Sequence, residues 1–120
     1  MGQFLEDLGS WGADVQGAMR GLYADEGYYA GLVRTFSGDA RVRFLEIAMR
    51  AKDYDEAFTL GHGLMNDARK LGLTPLLEPL SLFVDRLRTR NWKDAPNFYR
   101  AVREQFAQLQ DLVNRWGSSV

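Results

Sequence analysis

The chain carries one histidine, His62, and no cysteine. These two counts narrow the chemistry at once. Thiol nucleophiles, disulfides and cysteine-ligated metals are excluded, as is any site that needs two imidazole ligands from one chain. What remains is a lone imidazole. Imidazoles in general titrate near neutrality, so a neutral ring nitrogen is a competent nucleophile at physiological pH. Gly61 and Gly63 flank the histidine, and each costs a helix roughly 1 kcal/mol relative to alanine. Gly61 is expected to face inward and serve close helix packing. Gly63 is expected to face solvent, where a missing side chain leaves room for a docking partner, a chance surface glycine being the plain alternative.

The same side of the helix offers further groups. Met65 and Asn66 lie one turn beyond His62. Arg69, a permanent cation with planar donors, lies two turns beyond, about 10 Å along the axis at 1.5 Å per residue. Lys70 follows it. A phosphoryl group on an imidazole nitrogen stays reactive and can pass to a carboxylate. Such a carrier needs an accessible ring, flat surroundings and an apolar docking patch, but no catalytic acid of its own. Taken alone, an exposed histidine is an ordinary surface residue. No second catalytic constellation is visible beside it.

The elements that position His62 are helices. Tyr54, Ala57, Phe58, Gly61, Leu64, Met65, Ala68 and Leu71 form one apolar stripe at helical spacing. Asp53 and Glu56 make a start resembling a capping box, and Gly72 suits the left-handed residue past a helix end. On a wheel centred near Gly61, His62 points about 100° away from the core, at the rim.

The other segments also read as helices. Gln3 to Leu8 forms a short one, broken by Gly9-Ser10-Trp11-Gly12. Asp14 caps a second, through Leu22. Asp25 caps the next, with Tyr28, Tyr29, Leu32, Val33 and Phe36 repeating at threes and fours. After a break or kink at Ser37-Gly38, Asp39 opens a helix to about Lys52, with Val42, Leu45, Ile47, Ala48 and Met49 inward. Thr74-Pro75 looks like a cap with proline at the first helical position. Pro79 predicts either a loose turn over 74–78 or a kink, and Leu80, Phe83, Val84 and Leu87 carry the stripe on. Asp94 caps a last helix ended by Gly117. No stretch alternates as a strand would. The expected fold is all-α: one domain over residues 1–120, an antiparallel four-helix bundle preceded by one or two short helices. Core packing is the expected role of all the aromatic and methionine residues in these stripes.

At the His62 helix the chain resembles the histidine-phosphotransfer domain family. That family's motif runs His-x-Leu-Lys-Gly, four variable residues, then Leu-Gly. His62, Leu64, Ala68, Leu71 and Gly72 fall where the family places them. Upstream, Tyr28 to Phe36 followed by Asp39 looks like the family's earlier helix, and Leu80 to Arg88 looks like the helix after Leu-Gly. The resemblance covers about residues 13–113. It implies a phosphorelay intermediate that accepts a phosphoryl group on His62 and exchanges it with the aspartate of a response-regulator receiver domain, or receives it from a hybrid histidine kinase. The receiver brings its own Mg²⁺; the carrier needs no cofactor or metal. It is a phosphoryl carrier rather than a self-sufficient enzyme. Gly63, Met65, Asn66, Arg69 and Lys70 are the implied binding residues around the histidine. Two positions depart from the motif: Met65 stands where the family has lysine and Asn66 where it has glycine. These departures open an alternative, a module of the same fold that docks receivers or kinases without carrying phosphate. A plain structural bundle is the third.

The bulk properties agree with a single globular domain. The chain has 120 residues, 46% hydrophobic and 26% charged. With 15 Lys+Arg against 16 Asp+Glu, no basic excess indicates a nucleic-acid partner. Arg86, Arg88, Arg90 and Lys93 cluster, and are expected to form a solvated face. No apolar run approaches the roughly 20 residues that span a bilayer, and the start carries no secretory pattern. Neither a nucleic acid nor a membrane is expected as a partner, and a cytoplasmic location is expected. Phe4, Leu5, Leu8 and Trp11 can cover the chain's own bundle or a neighbour's, so the oligomeric state is open.

Overall fold

The computed structural model describes residues 2–21 and 25–118, all side chains within them except that of residue 118. Seven helices and no strand occur among the described residues: α1 (Gly2–Trp11), α2 (Val15–Gly21), α3 (Glu26–Ser37), α4 (Ala40–Arg50), α5 (Tyr54–Lys70), α6 (Thr74–Arg88) and α7 (Ala95–Ser118). The all-α bundle is as expected, although three helices precede the main four. Leu22, expected to end the second helix, lies outside the described residues.

Helix starts follow side-chain capping. Asp25 accepts from the Tyr28 amide at 2.8 Å, Asp39 from Arg41 at 2.8 Å and Asp53 from Glu56 at 3.2 Å. Each satisfies an amide that has no partner within the first turn. Asp14 does the same for Gly17 at 3.0 Å.

Helix ends follow backbone geometry. Past α5, Gly72 takes φ 69° and the Leu73 amide donates to Ala68 O at 2.9 Å. That is the Schellman arrangement, which needs a left-handed residue. A Cβ on Gly72 would stand 2.5 Å from the Asp14 carbonyl oxygen, so glycine here also lets the start of α2 rest on the end of α5. Lys52 and Arg90 fill the same left-handed slot after α4 and α6, with φ 56° and 60°.

Short turns make α4, α5, α6 and α7 antiparallel neighbours. α5 packs most extensively on α6, and α6 on α7, with α4 against the other side of α5. Leu64, Leu76, Leu80, Phe83, Val102 and Leu109 lie buried between them. α1 closes one end of the same bundle. Phe4 stacks on Trp116 with centroids 4.5 Å apart, and Trp11 Nε1 donates to Gln108 at 2.9 Å. The N-terminal apolar residues therefore cover the chain's own α7.

Several local expectations differ. α1 continues through Gly9 and Ser10 to Trp11, because Phe4, Leu8 and Trp11 share a face that docks on α7. Leu73, not Thr74, is the N-cap of α6, without a side-chain cap, and Pro75 sits in the first turn. α6 runs through Pro79 to Arg88; the ring removes only the bond back to residue 75, at the edge of the helix. α7 passes through Gly117. Asp94 sits just before it, with its carboxylate taken by Asn91 Nδ2 at 3.0 Å. Ile47 is 53% exposed and Tyr28 59% exposed, so neither is core. Ile47 lies on the arc of α4 turned away from its buried residues, Leu45 and Ala48.

Candidate functional site

His62 sits near the middle of α5, which runs unbroken from Tyr54 to Lys70. Its buried neighbours on the helix are Ala57, Leu60, Gly61, Leu64 and Ala68, and His62 itself is exposed. The helix period places it on the rim, as the stripe dictates. Gly61 faces α6: a Cβ there would stand 3.3 Å from Val84 Cγ2 and 3.4 Å from Phe83 Cε2. Its missing side chain lets the two helices approach.

Two neighbours hold the imidazole. Phe58, one turn before, stacks on it with centroids 5.7 Å apart and planes 24° from parallel. Asn66, one turn after, places Nδ2 3.4 Å from His62 Nδ1. The amide's orientation is set by Arg69, whose Nη1 donates to Asn66 Oδ1 at 3.1 Å. With the amide oxygen turned to the guanidinium, its NH2 faces the ring. The neutral imidazole then accepts at Nδ1 and keeps its proton on Nε2. Arg69 thus acts on His62 through Asn66.

The other expected site residues divide. Met65 turns toward α6, where its sulfur accepts from the Ser81 hydroxyl at 3.4 Å. Lys70, two turns beyond His62, lines a separate groove with Asp67, Asp39 and Leu32. Gly63 was expected to face open solvent. Instead it is half-buried, and a Cβ on it would stand 2.9 Å from Nη1 of Arg41.

Arg41 was not singled out by the sequence, yet it ties α4 to α5 beside the histidine. Its Nε and Nη2 donate to Asp39 at 3.0 and 2.8 Å, and Nη2 also reaches Asp67 at 2.5 Å. The side-chain hydrogen bond from Arg41 holds the Asp39 carboxyl below its ordinary range, and Asp39 in turn deepens the charged state of Arg41. Asp39-x-Arg41 is a local signal of the first pair. Asp67 is 26 residues away in sequence, and no local pattern announces the second.

Among the described residues no group of three or more His, Cys, Asp or Glu side chains is placed to hold a metal, and no helix is long and apolar enough to cross a membrane. Compared with known proteins, the chain matches no family model, no curated protein and no solved structure.

This arrangement leaves an exposed imidazole that can act as a nucleophile. Nε2 points away from the Asn66 contact, and its lone pair becomes free when the ring proton moves to Nδ1.

Proposed function

We propose that the chain is a phosphorelay carrier of the histidine-phosphotransfer type, with His62 as the phosphoryl acceptor. The observation that carries this reading is a lone, exposed imidazole on an unbroken central helix, steadied by Phe58 and Asn66, in a chain with no other histidine. The motif agreement at Leu64, Leu71 and Gly72 supports it. The partners are the receiver domain of a response regulator and a hybrid histidine kinase, and the setting is the cytoplasm.

In this reading Nε2 attacks the phosphorus of a receiver's aspartyl phosphate in line. The N–P bond forms as the P–O bond to aspartate breaks, and the aspartate leaves as a carboxylate with the electron pair. The imidazole proton resides on Nδ1 at that moment, so the Asn66 contact must yield or the amide must turn its oxygen to the ring. The reverse reaction loads the next receiver.

A second reading, a docking module that binds receivers without transfer, is favoured by one feature. Met65 occupies the motif's lysine position and gives its sulfur to Ser81, so no cation stands there to meet the phosphoryl oxygens.

Incubation with a radiolabelled phospho-receiver separates the two. Transfer predicts acid-labile label on this chain, abolished in His62→Gln. Receiver binding without label supports the docking module, and label that survives His62→Gln rejects His62 as the carrier.

A further inference from the structure

A cleft of 370 Å³ lies at the end of the bundle where α5 begins and α6 ends. Its apolar side is made by Tyr54, Phe58, Leu87 and Trp92, and its rim by Arg88 and Arg90. We propose that this cleft binds a small aromatic monocarboxylate, with the ring against the Tyr54, Trp92 and Phe58 side and the carboxylate on Arg90. The inference does not depend on the His62 reading.

The aromatic wall is already ordered. Tyr54 and Trp92 stack with centroids 4.7 Å apart and planes 7° from parallel, and both are half-buried. A flat ring extends such a stack at little cost. The volume falls in the range of small-ligand sites.

The rim selects charge. Arg90 is exposed and makes no side-chain hydrogen bond or ion pair among the described residues. A guanidinium offers paired donors that match a carboxylate. Arg88 on the same rim is shared with Asp85, which holds it in place and partly neutralises it. Asp55 also lines the cleft, so the lining carries two cations against one acid. That net positive balance attracts an anion.

The loop carrying these groups is preorganised, which lowers the cost of binding. The Asn91 amide donates to Arg86 O at 2.8 Å, and the Asn91 side chain donates to Asp94 at 3.0 Å. Arg90 itself sits at φ 60°, a slot that glycine fills without strain. Closure of the bundle end accounts for the Tyr54–Trp92 stack. It leaves the Arg90 guanidinium without a side-chain partner among the described residues.

The test titrates phenylacetate into the whole chain and follows the Trp92 indole resonance. The expected result is saturable binding with a dissociation constant of about 1 mM or tighter, within reach of a ligand of roughly ten heavy atoms. Arg90→Gly, which suits the backbone and keeps the fold, should weaken binding at least about tenfold, and so should replacing phenylacetate by 2-phenylethanol. No saturable shift, unchanged affinity in Arg90→Gly, or equal binding of the alcohol overturns the proposal. A short acidic–aromatic peptide that binds ten times tighter than phenylacetate also overturns it, because the occupant would then be a protein segment.

Discussion

Arg41 lies where a side chain on Gly63 would be: a Cβ there would come within 2.9 Å of Nη1. Glycine at this position lets the guanidinium cross from α4 to reach Asp67 on α5. A double-mutant cycle measures this. Alanine in a helix gains about 1 kcal/mol over glycine. In the Arg41→Ala background, Gly63→Ala should realise that gain. In the wild type the displaced guanidinium should cancel much of it, since a partly exposed pair contributes about 1 kcal/mol or less. Equal effects of Gly63→Ala in both backgrounds, read by urea denaturation, would contradict the contact.

The Arg69–Asn66–His62 chain predicts a tautomer. With Asn66 Oδ1 held by Arg69 and Nδ2 toward the ring, the neutral wild-type imidazole should carry its proton on Nε2. Asn66→Asp puts an acceptor beside Nδ1 and should move the proton there, freeing the Nε2 lone pair. Imidazole ¹⁵N shifts at a pH where the ring is neutral report this. The same tautomer in both proteins sinks the assignment. On the relay reading, Asn66→Asp should also accelerate phosphoryl transfer.

Met65→Lys tests the departure from the family motif. A cation one turn from His62 should speed transfer severalfold if missing charge limits it. Losing the Ser81 contact and a half-buried thioether should cost stability by about 1 kcal/mol. An unchanged transfer rate in a folded variant would mean that charge at this position does not limit the reaction.

Tyr29 predicts alkaline sensitivity. Its hydroxyl donates to Leu71 O at 2.7 Å, and burial pushes its pKa up from 10.0 to about 12, with Asp14 adding to the rise. A folded pKa above the unfolded one stabilises fully below pH 10.0 and loses that contribution as pH rises toward about 12. Tyr29→Phe should cost about 1 kcal/mol at pH 8 through the lost hydrogen bond and should show a smaller further loss between pH 8 and pH 11. Parallel losses in the two proteins, from urea midpoints, would contradict this.

Much of the fold was legible because capping is local. The aspartates at 25, 39 and 53 sit one residue before their helices, and the α5 stripe fixes both its register and the rim position of His62. Legibility failed where tertiary contacts override local preference. Gly9 reads as a breaker, but the face shared by Phe4, Leu8 and Trp11 packs on α7 and carries the helix through it. Ile47 reads as inward by spacing, yet α4 buries only the arc around Leu45 and Ala48. Thr74 reads as a cap, while the turn set by Gly72 places Leu73 there. At the site, His62, Asn66 and Arg69 are one and two turns apart and were readable. The Arg41–Asp67 link joins two helices, and Gly63 takes its meaning from that link alone.

The most direct test is the chemical identity of the charged species. After incubation with a phospho-receiver and removal of the receiver, correlated ³¹P and ¹⁵N NMR of the uniformly ¹⁵N-labelled chain should show a phosphorus coupled to Nε2 of His62. Phosphorus bound at oxygen, or no protein-bound phosphorus after full turnover of competent receivers, would contradict the account.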